Sequence, residues 1–342
     1  MHQHGGNRYQ YQNIIDFSAN TNLAGIPAGV AQAARDAITC SDCYPDPACT
    51  ELVEAISGHE GVSSTNIICG NGAAELIFLL VRAIEPKKAL LCVPSFYEYE
   101  KALRAVRCEI KFHFLQQENR FCITETFLEQ ITEETELVFL YNPNNPTGTL
   151  VERELLKKIL IKCEKLGIVL ILDECFLPFV REEALFSLKE VSPLFHSLFI
   201  LKAFTKTYAM PGLRLGYGIC SDQNLIHKMK EQNQPWSVSL PAQKAGIAAL
   251  KETDYLEKSL RLLEIEKSFL EMELKELGML IYGSEANYIF FYSDRSNLFE
   301  ICIEKNILIR DCSNYLGLTK GYYRVQVRNR KENALLISAL KG

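Results

Sequence analysis

No stretch of about 18 uninterrupted apolar residues, the length a helix needs to cross a bilayer, occurs anywhere in the 342 residues. The first residues, MHQHGGNRYQYQN, also lack the apolar centre of a secretory signal. A soluble, cytoplasmic protein is the expectation. Basic excess is missing too: 37 Lys and Arg against 42 Asp and Glu leave a net charge of -5, the wrong sign for a surface that binds nucleic-acid phosphates. No GxGxxG follows an apolar run, which argues against a nicotinamide-binding crossover. Internal repeats and low-complexity linkers are absent, so any domain division has to come from the order of elements. The CxxC formed by Cys40 and Cys43 has no second pair and no nearby His, too few ligands to close a zinc site. No metal is expected. The twelve cysteines are scattered, several inside apolar runs such as Cys69, Cys92 and Cys220, which is the usage of a reducing compartment rather than a disulfide framework.

What is present is enough apolar surface, 48% of residues, for a large domain and a smaller one. Between about Asn66 and Cys220, short apolar runs (NIIC, KALLCV, LVFLY, IVLILDE, LFILKAF, LRLGYGIC) alternate with helical patterns. Runs that are continuously apolar, rather than alternating, imply burial on both faces, as in a mostly parallel sheet covered by helices. The expected class is therefore α/β. Residues 254–278 keep helical periodicity and end at a glycine, which predicts one long helix leaving the large domain. The expected division is a large domain over 42–253, and a small domain built from 1–41 and 279–342.

In an open α/β sheet, ligands collect beyond the carboxyl ends of the strands, and several polar residues stand there. Gly70, Asn71 and Gly72 fall between a run and a helix start, where free N–H groups favour phosphate; an ordinary turn has the same composition. Asp173 and Glu174 end the run LILDE, either as a strand cap or with Asp173 as the partner of a protonated ring nitrogen. Asn142, Asn144 and Asn145 follow LVFLY. In KAFTKTYAMPGLRLGY, Lys206 and Arg214 sit in apolar company, at the start of what reads as a buried strand. Buried charges need partners, and one set satisfies them all: Lys206 as a Schiff-base lysine, Asp173 at a pyridine nitrogen, and Gly72, Thr205 and Arg214 around the phosphate of pyridoxal 5′-phosphate. Lys202, within its strand and without a hydroxyl neighbour, is set aside.

These residues resemble the fold type I pyridoxal-phosphate enzymes of the aspartate aminotransferase superfamily. YPDP (44–47), GNGAAE, YNPNNPTG, DE and TKTYAMPGLRLGY follow the order of the histidinol-phosphate aminotransferase branch. HGGN (4–7), DFSANTN (16–22), QPWSVS (234–239) and ILIRDCSNYLGL…YYRVQVR narrow the resemblance to the threonine-phosphate decarboxylases of that branch, over essentially the whole chain. The resemblance implies a homodimer, with Tyr44 reaching the cofactor phosphate of the neighbouring subunit. It implies Lys206 and Asp173 as catalytic residues, Gly72, Ala73, Thr205 and Arg214 at the phosphate, Phe96 stacked on the ring, and Asn145 near the ring's 3′-oxygen and the substrate carboxylate. It further implies His4, Gly5, Asn20, Arg310 and Arg324 as contacts of O-phospho-L-threonine, with Arg324 as the carboxylate fork. Phe176 stands where many relatives have a tyrosine, and Ala203 replaces a hydroxyl residue common before the lysine.

The expected reaction is decarboxylation to an aminopropanol phosphate for the nucleotide loop of a corrinoid. The same parts serve a histidinol-phosphate-like aminotransferase, or a decarboxylase of phosphoserine, which lacks only a methyl; the motifs do not separate the three. A cofactor-sensing regulator would need an added DNA-binding module, for which the fold leaves no residues.

Overall fold

The computed structural model describes residues 5–342. Its strands are β1 (Ile15–Asp16), β2 (Ile67–Gly70), β3 (Lys88–Val93), β4 (Glu109–Phe114), β5 (Leu137–Tyr141), β6 (Val169–Asp173), β7 (Leu198–Ala203), β8 (Gly216–Cys220), β9 (Leu280–Gly283), β10 (Tyr288–Tyr292), β11 (Ile307–Leu308), β12 (Arg310–Asp311) and β13 (Tyr322–Gln326). The seven-stranded sheet runs β2-β8-β7-β6-β5-β3-β4. All of its strands share one direction except β8, which is antiparallel to both neighbours. A second sheet, β12-β13-β10-β9, is antiparallel, and β1 pairs in parallel with β11.

The central strands LVFLY and VLILD are apolar up to the closing Asp173 because both faces are covered, and strand alternation sends successive side chains into two separate layers. Leu137, Phe139, Tyr141, Ile171, Phe199, Leu201 and Ala203 enter one core; Val138, Leu140, Leu170, Leu172, Leu198 and Ile200 enter the other. The first core continues through Leu263, Leu270 and Leu274 of the long helix into Tyr288, Phe291 and Val325 of the antiparallel sheet. Emptying such a site, as in Phe139→Ala, costs about 3–5 kcal/mol.

The long helix spans Tyr255–Glu276. Past its C-terminus stands Gly278 at φ +76°, a left-handed turn that suits glycine. The early part of the chain is held at two places: β1 pairs with β11, while the helix Ala28–Ile38 packs against the helix Leu240–Ala249. None of the described helices is long and apolar enough to cross a membrane.

Candidate active site

Four of the parallel strands deliver polar groups to the same end of the sheet. β6 closes with Asp173, which shares a face with Ile171 and Phe139. Alternation turns the next residue, Glu174, to the opposite layer, where Ser187 Oγ donates to it at 2.8 Å. β7 leads into the short helix Phe204–Thr207, which carries Thr205 and Lys206. The same alternation points Lys202 away, into a buried pair with Glu60 at 3.0 Å. Burial pushes the Glu60 carboxyl up, but Lys202, Lys189 and Tyr217 outweigh it and hold the group at about 2. Lys202 is therefore structural, and Lys206 is the lysine that faces the site.

Lys206, Asp173, Asn145, Asn20, Gly5, Ala73, Thr205, Arg214, Phe96 and Arg324 line one cavity of about 210 Å³. Lys206 Nζ donates to Ala19 O at 2.5 Å and sits 5.7 Å over the Phe176 ring. Burial, and then the nearby Arg324 guanidinium, lower its pKa to about 8, so part of the amine is a free nucleophile near neutrality. Asp173 is pushed up to about 6 by burial, against hydrogen bonds from Cys175 and Tyr99 that favour its ionised form. Tyr99 Oη donates to Oδ2 at 2.7 Å, and Cys175 N donates to Oδ1 at 2.9 Å.

Gly72 precedes the helix Ala73–Ile84 at φ +81°, and no side chain caps that helix. Its first N–H groups are thus open to an anion. A Cβ at Gly72 would stand 2.4 Å from Arg214 Nη2, so only glycine lets the guanidinium lie against this turn. Arg214 itself differs from the sequence expectation. It is exposed and left-handed (φ 59°), and it precedes β8 rather than opening it. It forms the rim of the cavity and is not a buried charge. An uncapped helix start, a guanidinium, the Thr205 hydroxyl, an amine of lowered pKa and a carboxylate together fit an aldehyde-bearing pyridine phosphate.

Arg324 is only 4% exposed. It donates to Asn145 Oδ1 and, at 2.8 Å, to Ser18 O. With the Asn20 amide turned so that its oxygen faces Arg324, that oxygen would accept from Nε at 3.1 Å and Nη1 at 3.2 Å. Arg310 stands opposite Arg324 in the antiparallel register, but it lines a separate adjoining cavity of about 200 Å³ that shares Gly5 and Ser18 with the first. Its Nη1 and Nη2 donate to Asp311 O and Asn314 Oδ1, it stacks at 4.9 Å on Tyr315, and its buried Nε has no partner. Among the described residues, neither arginine pairs with a carboxylate.

Among the described residues, Tyr44, like Arg310, does not line the Lys206 cavity. Tyr44 is 80% exposed and stacks on Trp236, with ring centroids 4.5 Å apart. His4 lies outside the described residues. Sequence reasoning passed over Tyr99, Tyr315 and the carbonyls of Ser18 and Ala19. Backbone carbonyls leave no signal in sequence, and Tyr99 is one of two tyrosines in FYEYE with nothing to favour it.

The model of the aminotransferase class I and II family matches residues 12–340. A threonine-phosphate decarboxylase of Salmonella typhimurium is 37% identical, covering 99% of this chain and 96% of its own. Histidinol-phosphate aminotransferase 2 of Carboxydothermus hydrogenoformans is 31% identical over 96% of this chain and 91% of its own. Among solved structures, a histidinol-phosphate aminotransferase from Clostridium acetobutylicum superposes with a TM-score of 0.89 at 30% identity, covering 95% of this chain and 98% of that one.

Proposed function

Because the chain belongs to the aminotransferase class I and II family, whose cofactor is pyridoxal 5′-phosphate, we propose that it releases CO2 from O-phospho-L-threonine. The product is (R)-1-amino-2-propanol phosphate, for cobalamin biosynthesis. The observation that carries this reading is the pair Arg310 and Arg324. Both arginines are buried, they stand opposite each other in the strand register, and among the described residues no carboxylate pairs with either. An uncompensated buried charge costs several kcal/mol, and two such charges on adjoining cavities suit a ligand with two anionic ends. A phosphorylated amino acid has two; histidinol phosphate, without a carboxylate, has one.

Lys206 would hold the cofactor covalently, Asp173 would face its ring nitrogen, Phe96 its ring and Asn145 its 3′-oxygen. Gly72, Ala73, Thr205 and Arg214 would hold its phosphate. When bound, the cofactor supplies a conjugated system that takes up electrons from whichever bond at the substrate's Cα stands perpendicular to it. Selecting that bond falls to the chain. Arg324, fixed by Asn145, Asn20 and Ser18 O, would grip the carboxylate through a planar fork. Arg310, with Asn20, Gly5 and His4, would anchor the phosphate. Tethering both ends would fix the rotation about Cα, and the Lys206 amine would hand a proton back there. Further, we assign the exposed Tyr44 to a homodimer interface, where it would serve the partner's cofactor.

Incubating purified protein and pyridoxal 5′-phosphate with O-phospho-L-threonine, and no keto acid, should release CO2. Turnover confined to histidinol phosphate plus 2-oxoglutarate would assign transamination instead.

A further inference from the structure

Residues 18–21 pass between the antiparallel sheet and Lys206, and each of their four carbonyls accepts a hydrogen bond from a side chain. Arg324 Nη2 donates to Ser18 O at 2.8 Å, and Lys206 Nζ to Ala19 O at 2.5 Å. Asn287 Nδ2 donates to Asn20 O at 3.1 Å and to Thr21 O at 3.0 Å, and Gln326 Nε2 donates to Thr21 O at 2.7 Å. Asn287 and Gln326 are both fully buried. Gln326 follows Arg324 by two residues on β13, so the two side chains share a face of the strand. Asn20 itself is left-handed, at φ 54°, a conformation that a residue other than glycine keeps where its surroundings hold it. We propose that Asn287 and Gln326 are positioning residues for the substrate, clamping the backbone at Asn20 and Thr21 so that the Asn20 amide stays against Arg324. The proposal deepens the reading of Arg324 as the carboxylate fork and rests on it.

The other half of each amide argues for placement rather than stability. Asn287 Oδ1 and Gln326 Oε1 are buried and, among the described residues, have no partner. A buried polar atom left unpaired costs about as much as a hydrogen bond or two contributes. An apolar side chain of similar size at either position should therefore leave stability nearly unchanged. What it removes is the set of donors on one short stretch of backbone. Neither residue lines the Lys206 cavity or the Arg310 cavity, so an effect on the ligand has to pass through residues 18–21.

The test is a double-mutant cycle on the holoprotein. Rapid mixing with O-phospho-L-threonine, followed through the visible absorbance of the cofactor, gives an apparent Kd before turnover. Asn287→Leu should raise that Kd about three- to tenfold, the worth of one hydrogen bond, while cofactor affinity and the urea midpoint stay close to those of the unsubstituted chain. Asn20→Gly suits the left-handed backbone and removes the amide; in that background Asn287→Leu should add no more than about a twofold further change. Gln326→Met, which removes only donors to Thr21, is read through the same cycle, so either variant decides if the other fails to fold. A Kd unchanged by both substitutions, or one that rises by the same factor with and without the Asn20 amide, would overturn the proposal. So would a fall in cofactor affinity and urea midpoint in step with the loss of substrate. Unsubstituted holoprotein that binds O-phospho-L-threonine yet yields no CO2 would sink the decarboxylase reading and leave the cycle readable; no spectral response at all would overturn both.

Discussion

Tyr99→Phe removes one oxygen from the buried carboxylate site and leaves the ring in place. The Tyr99 ring is 1% exposed and stacks on Phe139 at 4.6 Å, so packing survives; the 2.7 Å donor to Asp173 Oδ2 does not. A hydrogen bond to a charged group contributes about 1.5–3 kcal/mol, which converts to about 1–2 pKa units. Asp173, already pushed to about 6 by burial, should rise to roughly 7–8. At pH 7 its ionised fraction would fall from about nine-tenths to between about a half and a tenth. If the carboxylate form is the one that binds pyridoxal 5′-phosphate, the apparent Kd at pH 7 rises about two- to tenfold, and the difference fades by about pH 9. Titrating cofactor-free protein with the cofactor at both pH values, and following the visible absorbance, measures this. Equal weakening at pH 7 and pH 9, or none at either, would refute the reasoning.

Burial raises Asp173 from 3.8 to about 6 in the fold. Its charge therefore opposes folding above about pH 6, and the penalty is absent below about pH 4. Asp173→Asn should stabilise the cofactor-free protein at pH 7–8 by up to about 3 kcal/mol in urea unfolding, not at pH 4, while losing cofactor affinity. Lys206→Ala should abolish the visible absorbance of the bound cofactor. Lys202→Met should keep that absorbance yet cost roughly 3 kcal/mol in the same unfolding assay, because Glu60 loses a buried partner. Gly72→Ala combines a disfavoured φ of +81° with a Cβ 2.4 Å from Arg214 Nη2. Displacing the guanidinium should weaken cofactor binding at least about tenfold, read by the same titration.

The large sheet was legible because LVFLY, the VLIL of VLILD and the LFIL of LFILKA are continuously apolar, with charge entering only at the strand ends, a pattern that a sheet covered on both faces requires. β4 was not. As an edge strand, EIKFHF is half exposed and mixes charge with aromatic residues, so its pattern merges with the helix before it. The reversed β8 was equally invisible, since apolar runs carry no sign of direction. At the site, Lys206, Asp173 and Gly72 could be read because chemistry and strand ends coincide at them. The Arg310–Arg324 juxtaposition could not, because it depends on β12 pairing with β13, and register is a tertiary fact. Arg214 misled for the opposite reason: Leu215 and the strand after it are buried, and the left-handed turn before β8 carries the Arg214 side chain out to the rim.

Decarboxylation and transamination differ in which bond at Cα is broken. Running the reaction in D2O with O-phospho-L-threonine, and analysing the product by mass spectrometry and NMR, distinguishes them most directly. Decarboxylation should give aminopropanol phosphate carrying one deuterium on the carbon that lost the carboxylate, in step with CO2. A phosphorylated keto acid that retains its carboxylate, with the amino group left on the cofactor, would contradict it.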